Sequence, residues 1–343
     1  MRVIARVYKW ILISVILQLL ILLFFNNYFF ARKGEVKVTS IDTEGVVKED
    51  LNVKLPSGAA DVKVSFDASF AAYLIDGRLE ILDLQKKKNK ETIKHEGDSI
   101  SYFKWLPDRN MLIYAEKSTG DEKVGVKVTS HNVDSGDNTS YPPILKLSKQ
   151  SEVVDIELSP LTNVVYIKLK TSDTNASIYK YNINNNLSHV MSTSIDTEIK
   201  ETNYSDKLIY QDNKKRVFVN DSIKGKTWQI PFKNKVAILG LDSEDKPYIG
   251  ELNKENKVFK IHMGKLTDST LKSWSQISLE RPLPVENILL SPDDIVYELN
   301  AEQNMITDVQ SGKKVEYKGK YIEIIKGYVV SLNGNELRLK VIK

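Results

Sequence analysis

The chain contains no cysteine among its 343 residues. This absence excludes disulfide bonds, thiolate metal ligands and cysteine nucleophiles together. It argues against a small extracellular domain of the disulfide-bonded kind. It does not exclude an exported protein, because a chain of this length can bury enough apolar surface to fold without cross-links.

Recognisable catalytic signatures are also missing. The sequence has no G-x-S-x-G nucleophile turn and no glycine-rich phosphate loop. The acidic pairs Asp293–Asp294 and Asp242–Asp245 lack the spacing of a calcium loop, so side-chain-stabilised turns explain them better than a metal. We therefore expect no enzyme activity, no cofactor and no metal. The histidines follow no metal-binding spacing, and each is expected to be packed or solvated: His95, His131, His189 and His262.

The net charge of the chain is small. The chain has 49 basic and 45 acidic residues, which gives a net charge of +4 at pH 7. No basic stripe of the kind that nucleic acids require is visible. Nucleic acid is therefore not an expected partner.

What the sequence does have is one long apolar run. Residues 10–30 carry no charged side chain, and about 20 apolar helical residues suffice to cross a bilayer core about 30 Å thick. The run predicts an uncleaved transmembrane signal-anchor helix over 10–30, after a cytoplasmic segment 1–9 and before an extracytoplasmic domain. A cleaved signal peptide is less favoured, because the run is long and no A-x-A-like site follows it. The expected contacts with the bilayer and its interfaces are Arg6, Lys9, Trp10, Tyr28, Arg32 and Lys33.

The remainder of the chain alternates short β-prone runs with turn signals. A recurring turn follows the first strand of each unit, at intervals of roughly 40–50 residues, which is typical of four-stranded propeller blades. Several strands are apolar on both faces, as expected of a sheet held between two neighbours. The pattern predicts an all-β fold with a seven-bladed β-propeller over 61–343, and six blades as second choice. The turns that show the recurrence are Ser65–Asp67, Leu106–Asp108, Leu158–Pro160, Leu241–Ser243 and Leu290–Asp293.

The end of the chain supplies three strands of a last blade. A fourth strand is expected from the segment 31–60, which we interpret as a juxtamembrane linker with a ring-closing strand. The candidates are Val36–Thr39 and Asn52–Leu55. Pairing the two ends of the domain would remove an open sheet edge.

The runs Val64–Leu84 and Phe103–Tyr114 resemble the bacterial WD40-like repeat of TolB-type propellers. The layout is also similar to uncharacterised single-pass propeller proteins of low-GC Gram-positive bacteria. The resemblance implies a propeller fold and no particular activity. Repeats of this family often carry glycine where this chain has Arg109 and Asp294, so looser turns are expected at both positions.

These observations favour a membrane-anchored, non-catalytic scaffold that binds a protein partner at the bacterial cell envelope. The alternative is a propeller that binds or cleaves a wall glycan or exopolysaccharide. A sensor that signals inward is a third hypothesis. Tyr73, Tyr114 and Tyr166 occupy one repeated position and are expected in the core. Tyr141, Pro142 and Pro143 lie in a long connection and are predicted to form an exposed contact loop.

Overall fold

The computed structural model describes residues 2–24, 49–94, 99–119, 124–267 and 271–342. The chain divides into two compact units, 1–47 and 48–343. In the first unit, helix α1 runs over Arg2–Phe24 and therefore begins well before residue 10. Among the residues that the structure describes, none belongs to a helix with the length and apolarity needed to cross a bilayer.

The predicted membrane contacts fall partly within α1. Arg6, Lys9 and Trp10 belong to the helix, and Trp10 is 70% exposed. Residues 25–30 of the predicted span, together with Tyr28, Arg32 and Lys33, lie outside the described residues. Their role stays a prediction.

Within its described residues, the second unit is built from short β-strands and two 3-10 helices, Leu271–Ser273 and Val285–Asn287. The strands, in chain order, are β1 (Leu51–Lys54), β2 (Ala60–Val64), β3 (Phe70–Ile75), β4 (Arg78–Asp83), β5 (Lys88–Ile93), β6 (Ser99–Trp105), β7 (Met111–Thr119), β8 (Val124–Asn132), β9 (Asn138–Ser140), β10 (Ile144–Leu147), β11 (Glu152–Ser159), β12 (Val164–Lys170), β13 (Asn175–Tyr181), β14 (Leu187–Ser194), β15 (Ile199–Glu201), β16 (Lys207–Gln211), β17 (Val217–Asp221), β18 (Lys226–Gln229), β19 (Val236–Leu241), β20 (Pro247–Leu252), β21 (Val258–Met263), β22 (Ser275–Leu283), β23 (Ile288–Leu290), β24 (Val296–Asn300), β25 (Met305–Asp308), β26 (Lys314–Glu316), β27 (Lys320–Ile325), β28 (Tyr328–Asn333) and β29 (Glu336–Val341).

These strands form seven antiparallel sheets, which we number as blades in chain order. Blade 1 is β2–β5, blade 2 is β6–β10, blade 3 is β11–β14, blade 4 is β15–β18, blade 5 is β19–β22 and blade 6 is β23–β26. Blade 7 joins β27–β29 to β1. The prediction of seven blades is confirmed, and the six-bladed second choice is wrong.

The last blade joins the two ends of the propeller. Strand β1 pairs with β29 in antiparallel register, with Leu51 opposite Leu339 and Val53 opposite Leu337. The observed strand overlaps the candidate Asn52–Leu55, whereas Val36–Thr39 lies outside the described residues. Asp50 adds a bond just before the strand, since its Oδ1 accepts from the backbone amide of Val341 at 3.0 Å.

The apolar interior is divided among the blades. Seven buried clusters are present, and each is shared by two consecutive blades, including blades 7 and 1. In β4, Leu79 and Ile81 face blade 2, while Leu82 and the adjoining Leu84 face blade 7. This arrangement explains why such strands are apolar on both faces. The repeated tyrosines Tyr73, Tyr114 and Tyr166 are buried in these clusters, as predicted.

Candidate interaction site at the mouth of the channel

The first strands of the blades surround the ring axis. Strand β11 contacts β6 and β15, and β2 contacts β6 and β27, so neighbouring blades meet through their first strands. The turn that joins the first and second strands of each blade therefore lies at one end of the axial channel. We call this turn the first turn of a blade.

The first turns of blades 2 to 6 enclose a cavity of about 470 Å³, which we call the mouth. Two apolar side chains at the mouth are exposed to solvent, Leu161 at 59% and Tyr204 at 64%. The cavity is lined by Pro107, Asp108, Pro160, Leu161, Asn203, Tyr204, Leu241, Asp242, Ser243, Leu290, Ser291, Pro292 and Asp294.

The turns around the mouth are closed by local hydrogen bonds. Asp294 has a φ of 61°, and its amide donates to the carbonyl of Ser291 at 3.0 Å. In blade 2, the amide of Met111 donates to the carbonyl of Arg109 at 2.8 Å. Both turns are thus closed by a backbone hydrogen bond, and whether they are looser than glycine-containing turns stays a prediction. Aspartate can replace glycine at Asp294 because its short polar side chain tolerates the left-handed conformation.

Turn carboxylates also join one blade to the next. Asp294 accepts from the amide and hydroxyl of Ser243 at 3.0 and 2.8 Å. Asp245 accepts from the amides of Asn203 and Tyr204 at 2.5 and 2.8 Å. Three of the four aspartates considered above as calcium ligands, Asp242, Asp245 and Asp294, thus hold the first turns in place. Across the described part of the chain, no group of three or more potential ligand side chains is arranged to hold a metal ion.

The mouth is acidic. Among the described residues that line it there are three carboxylates, and neither lysine nor arginine. Asp108 is paired with Arg109 at 2.6 Å. Asp242 is buried and accepts from the amides of Glu244 and Lys246 at 2.9 and 2.7 Å. Burial, with a further contribution from the negative charge of Asp294, raises the pKa of Asp242. A cationic group would therefore be stabilised here.

A second cavity of about 220 Å³, which we call the channel cavity, adjoins the mouth and shares Pro107, Asn203 and Leu241 with it. In its wall Glu157 lies between two lysines, 2.8 Å from Lys104 and 2.7 Å from Lys200. Burial alone would raise the pKa of Glu157, but the two lysines hold it well below its ordinary value. Glu157 is therefore ionised and fully paired at neutral pH.

The channel residues belong to none of the sequence motifs described above. A signal was present, because a charged residue stands two positions before the first turn in four consecutive blades. Strands alternate their faces, so one repeated position faces the axis in every first strand. The four residues are Lys63, Lys104, Glu157 and Lys200, which precede Ser65, Leu106, Ser159 and Thr202.

The predicted contact loop is only partly exposed. Pro142 and Pro143 are exposed, but Tyr141 is 9% exposed. Its ring centroid lies 5.0 Å from that of Tyr181 in blade 3, and the Tyr181 hydroxyl donates to the carbonyl of Pro142. The expected exposure of Tyr141 is therefore wrong, because this connection packs against the neighbouring blade. Whether the loop binds a partner stays a prediction.

The described histidines are packed or solvated, as expected. His131 is bonded to Glu91 at 3.0 Å, and His262 to Glu251 at 2.8 Å. His189 is exposed, whereas His95 lies outside the described residues.

A titratable contact lies on the other side of the channel, between blades 7 and 1. The Oε1 atom of Glu323 accepts from the backbone amide of Val64 at 2.6 Å. Burial raises the pKa of Glu323 from 4.5 to about 7, although the Val64 amide and Lys63 oppose the rise. The folded protein therefore retains a proton on Glu323 over a pH range in which the unfolded chain has lost it.

This difference predicts that Glu323 makes the folded state less stable as the pH rises from 4.5 to about 7. The full shift corresponds to about 3 kcal/mol. We expect about 1–2 kcal/mol, because the side chain is not fully buried and solvent screens part of the effect. Urea unfolding of the wild type and Glu323→Gln at pH 5 and pH 8 measures the difference. Gln keeps the acceptor for Val64 but does not titrate, so parallel pH profiles would contradict the prediction.

No family model matches this chain, and no curated protein is similar to it in sequence. Among solved structures, it is similar to the β-propeller domain of Cps50 (Swd1) from Myceliophteria thermophila, with a TM-score of 0.54 and 13% sequence identity. The similarity covers 85% of this chain and 99% of that domain. At this identity the likeness concerns the fold alone. Together with the seven sheets, it shows a seven-bladed β-propeller fold. The TolB type and the bacterial origin stay predictions from the sequence.

Proposed function

We propose that this protein is a non-catalytic scaffold that binds a partner protein through the mouth of its channel. The observation that carries the proposal is the pair of exposed apolar side chains beside an open cavity, Leu161 and Tyr204. Tyrosine is among the residue types that supply most of the binding energy at protein interfaces, and a neighbouring apolar side chain such as Leu161 helps to exclude water from the contact. The turns that present them are fixed to their neighbours by hydrogen bonds, so little order has to be gained on binding.

A glycan is the alternative ligand, but the mouth provides fewer favourable contacts for a glycan than for a protein. Sugars bind largely by stacking on aromatic faces, but Tyr204 is the one aromatic residue among the described residues that line the mouth. Trp105 in the channel cavity is 8% exposed, and its indole N–H donates to the carbonyl of Lys63 at 3.2 Å. Little aromatic surface is left for a sugar ring. We therefore favour a protein partner over a glycan.

Attachment to the cell membrane, with the amino terminus in the cytoplasm and the propeller at the bacterial envelope, is part of the same proposal. Its support is the apolar surface of α1, whose large side chains from Ile11 to Phe24 are exposed. In the sequence the uncharged run continues to Phe30. An apolar surface of this extent requires a cover, and a bilayer is suited to provide it.

Gentle extraction of isolated membranes with a non-ionic detergent, followed by pull-down of the full-length chain, tests the proposal. We expect the chain in the membrane fraction and a stoichiometric partner protein in the eluate. Recovery of the chain without detergent would contradict the membrane attachment. Recovery of no protein partner, together with binding to a panel of wall polysaccharides, would favour the glycan alternative.

Two variants locate the contact. Leu161→Asp should reduce partner recovery at least tenfold, because it places a charge in the apolar contact. Ile183→Asp is the matched control, since Ile183 is also in blade 3 and is 70% exposed but does not line the mouth. Equal recovery with both variants would show that the partner binds elsewhere on the ring.

A further inference from the structure

Glu201 is a buried acid whose carboxylate forms no ion pair and accepts no well-aligned hydrogen bond within the described part of the chain. It ends β15, it is 5% exposed, and it lines the channel cavity. Neither carboxylate oxygen accepts a hydrogen bond of normal geometry from the described residues. Buried polar groups are nearly always paired in folded proteins, so an unpaired carboxyl beside a cavity indicates a missing partner.

The charged neighbours of Glu201 are already engaged. Lys104 and Lys200 form ion pairs with Glu157, as described above, and Lys180 forms an ion pair with Asp206. Asp206 also accepts from the hydroxyl of Tyr166 at 2.7 Å. No cation in the described surroundings is left to neutralise Glu201.

A buried carboxylate without a neighbouring cation is most easily neutralised by binding a proton. Burial is the largest influence, and the negative charges of Asp206 and Glu157 add to it, so the pKa of Glu201 lies well above its ordinary value. Lys180 and the backbone amide of Ser159 oppose the rise only in part. Glu201 is therefore poised to exchange its proton for a positively charged ligand.

The mouth, from which a ligand reaches Glu201, carries negative charge. The channel cavity is also lined by Lys104 and Lys200, whose charges are balanced by Glu157, Asp155 and Glu198. The mouth adjoins the channel cavity, and its carboxylates Asp242 and Asp294 form no ion pair within the described part of the chain. A cation that approaches the ring axis from this end first meets the two aspartates at the mouth and then Glu201 in the wall of the channel cavity. Charge complementarity of this kind selects a partner and speeds its approach.

We propose that the partner protein inserts a lysine or arginine side chain through the mouth, so that its positive charge lies beside Glu201 in the channel cavity. This inference rests on the proposed function and specifies the chemistry of the partner. Arginine is favoured over lysine, because a guanidinium ion is more weakly hydrated and loses less on entering a buried site.

Insertion has a chemical consequence that can be measured. Where Glu201 is protonated, its carboxyl loses that proton to solvent when the cation arrives, and the resulting carboxylate pairs with the cation. Because the pKa of Glu201 is raised by burial, binding is expected to release protons, in proportion to the fraction of Glu201 that is protonated beforehand. A purely structural role for Glu201 would produce no such release.

Isothermal titration of the full-length chain in a non-ionic detergent tests the proposal at pH 7. The probes are a glycine–serine peptide that carries three arginines and the same peptide with three citrullines, which are neutral and nearly isosteric. We expect the arginine peptide to bind at least tenfold more tightly than the citrulline peptide. We also expect its heat of binding to differ between buffers of unlike ionisation enthalpy, in proportion to the proton released. Equal affinity for the two peptides would overturn the proposal.

Glu201→Gln should weaken binding of the arginine peptide at least tenfold and abolish the buffer dependence. The matched control is Glu302→Gln, which removes one negative charge at the exposed turn between β24 and β25 and should change neither. If Glu201→Gln does not fold, Asp242→Asn serves instead, since it keeps the acceptor atom of the turn and should weaken binding severalfold. Unchanged binding and proton release in folded Glu201→Gln would overturn the role of Glu201, and unchanged binding in Asp242→Asn would overturn entry of the cation through the mouth.

The outcome is distinguishable from a failure of the proposed function. If the arginine peptide does not bind but Leu161→Asp abolishes partner recovery, the scaffold stands and the cationic insertion is wrong. If the peptide binds with proton release but no partner protein is recovered, the channel recognises a cation and the scaffold proposal is wrong.

Discussion

Replacement of Val53 by aspartate should destabilise the propeller by about 4 kcal/mol or more. Val53 is 5% exposed and packs in the cluster shared by blades 7 and 1. The substitution removes an apolar side chain opposite Leu337 and places a carboxylate in the same cluster without a cation. It also weakens β1, the strand that joins the two ends of the ring. Urea unfolding followed by tyrosine and tryptophan fluorescence measures the loss.

Asn52→Asp is the control for this prediction. Asn52 is the neighbouring residue of the same strand, but it is exposed and lies opposite Arg338. The same carboxylate there should change the free energy of unfolding by no more than about 0.5 kcal/mol. If both variants were equally stable, the closing strand would contribute little to the ring, and the propeller would be held together by the other blade contacts alone.

The closure illustrates how far the sequence predicts this fold. Blade number and strand order follow from local patterns, because each blade is a meander whose neighbours in sequence are its neighbours in space. Apolar residues on both faces of β4 predict that a blade lies between two others. The partner of the last three strands is less local, and periodicity alone left two candidate segments. Pairing with β29, which is distant in sequence, decided between them.

The candidate site was less predictable, because it depends on contacts between blades. The connection that contains Tyr141 has the composition of an exposed loop, yet β9 and β10 extend blade 2 and bring that tyrosine against Tyr181. The burial of Glu201 was equally hard to predict, because a glutamate at the end of a short strand is ordinarily solvated. Its burial arises from the packing of blade 4 against blade 3, and no local pattern encodes that. The charged positions of the first strands did carry a repeat signal, and the apolar residues around them obscured it.

A second large effect is expected at Gly319, just before β27. This residue has a φ of 95°, and a methyl group placed on it would lie 2.4 Å from the carbonyl oxygen of Leu332 and 2.8 Å from the Cα atom of Asn333. Both are backbone atoms of the paired strand β28, so a side-chain rotation cannot relieve the clash. Gly319→Ala should therefore combine an unfavourable backbone conformation with overpacking, at about 3 kcal/mol or more.

Gly312→Ala separates the two causes. Gly312 also has a positive φ, of 73°, but a methyl group there would meet no atom within 4 Å. Only the conformational cost remains, so the loss should be about 1 kcal/mol. Thermal unfolding of both variants under the same conditions measures the difference. Equal losses would show that β28 can move away from Gly319, and that the innermost strand of the closing blade is less firmly held than its pairing indicates.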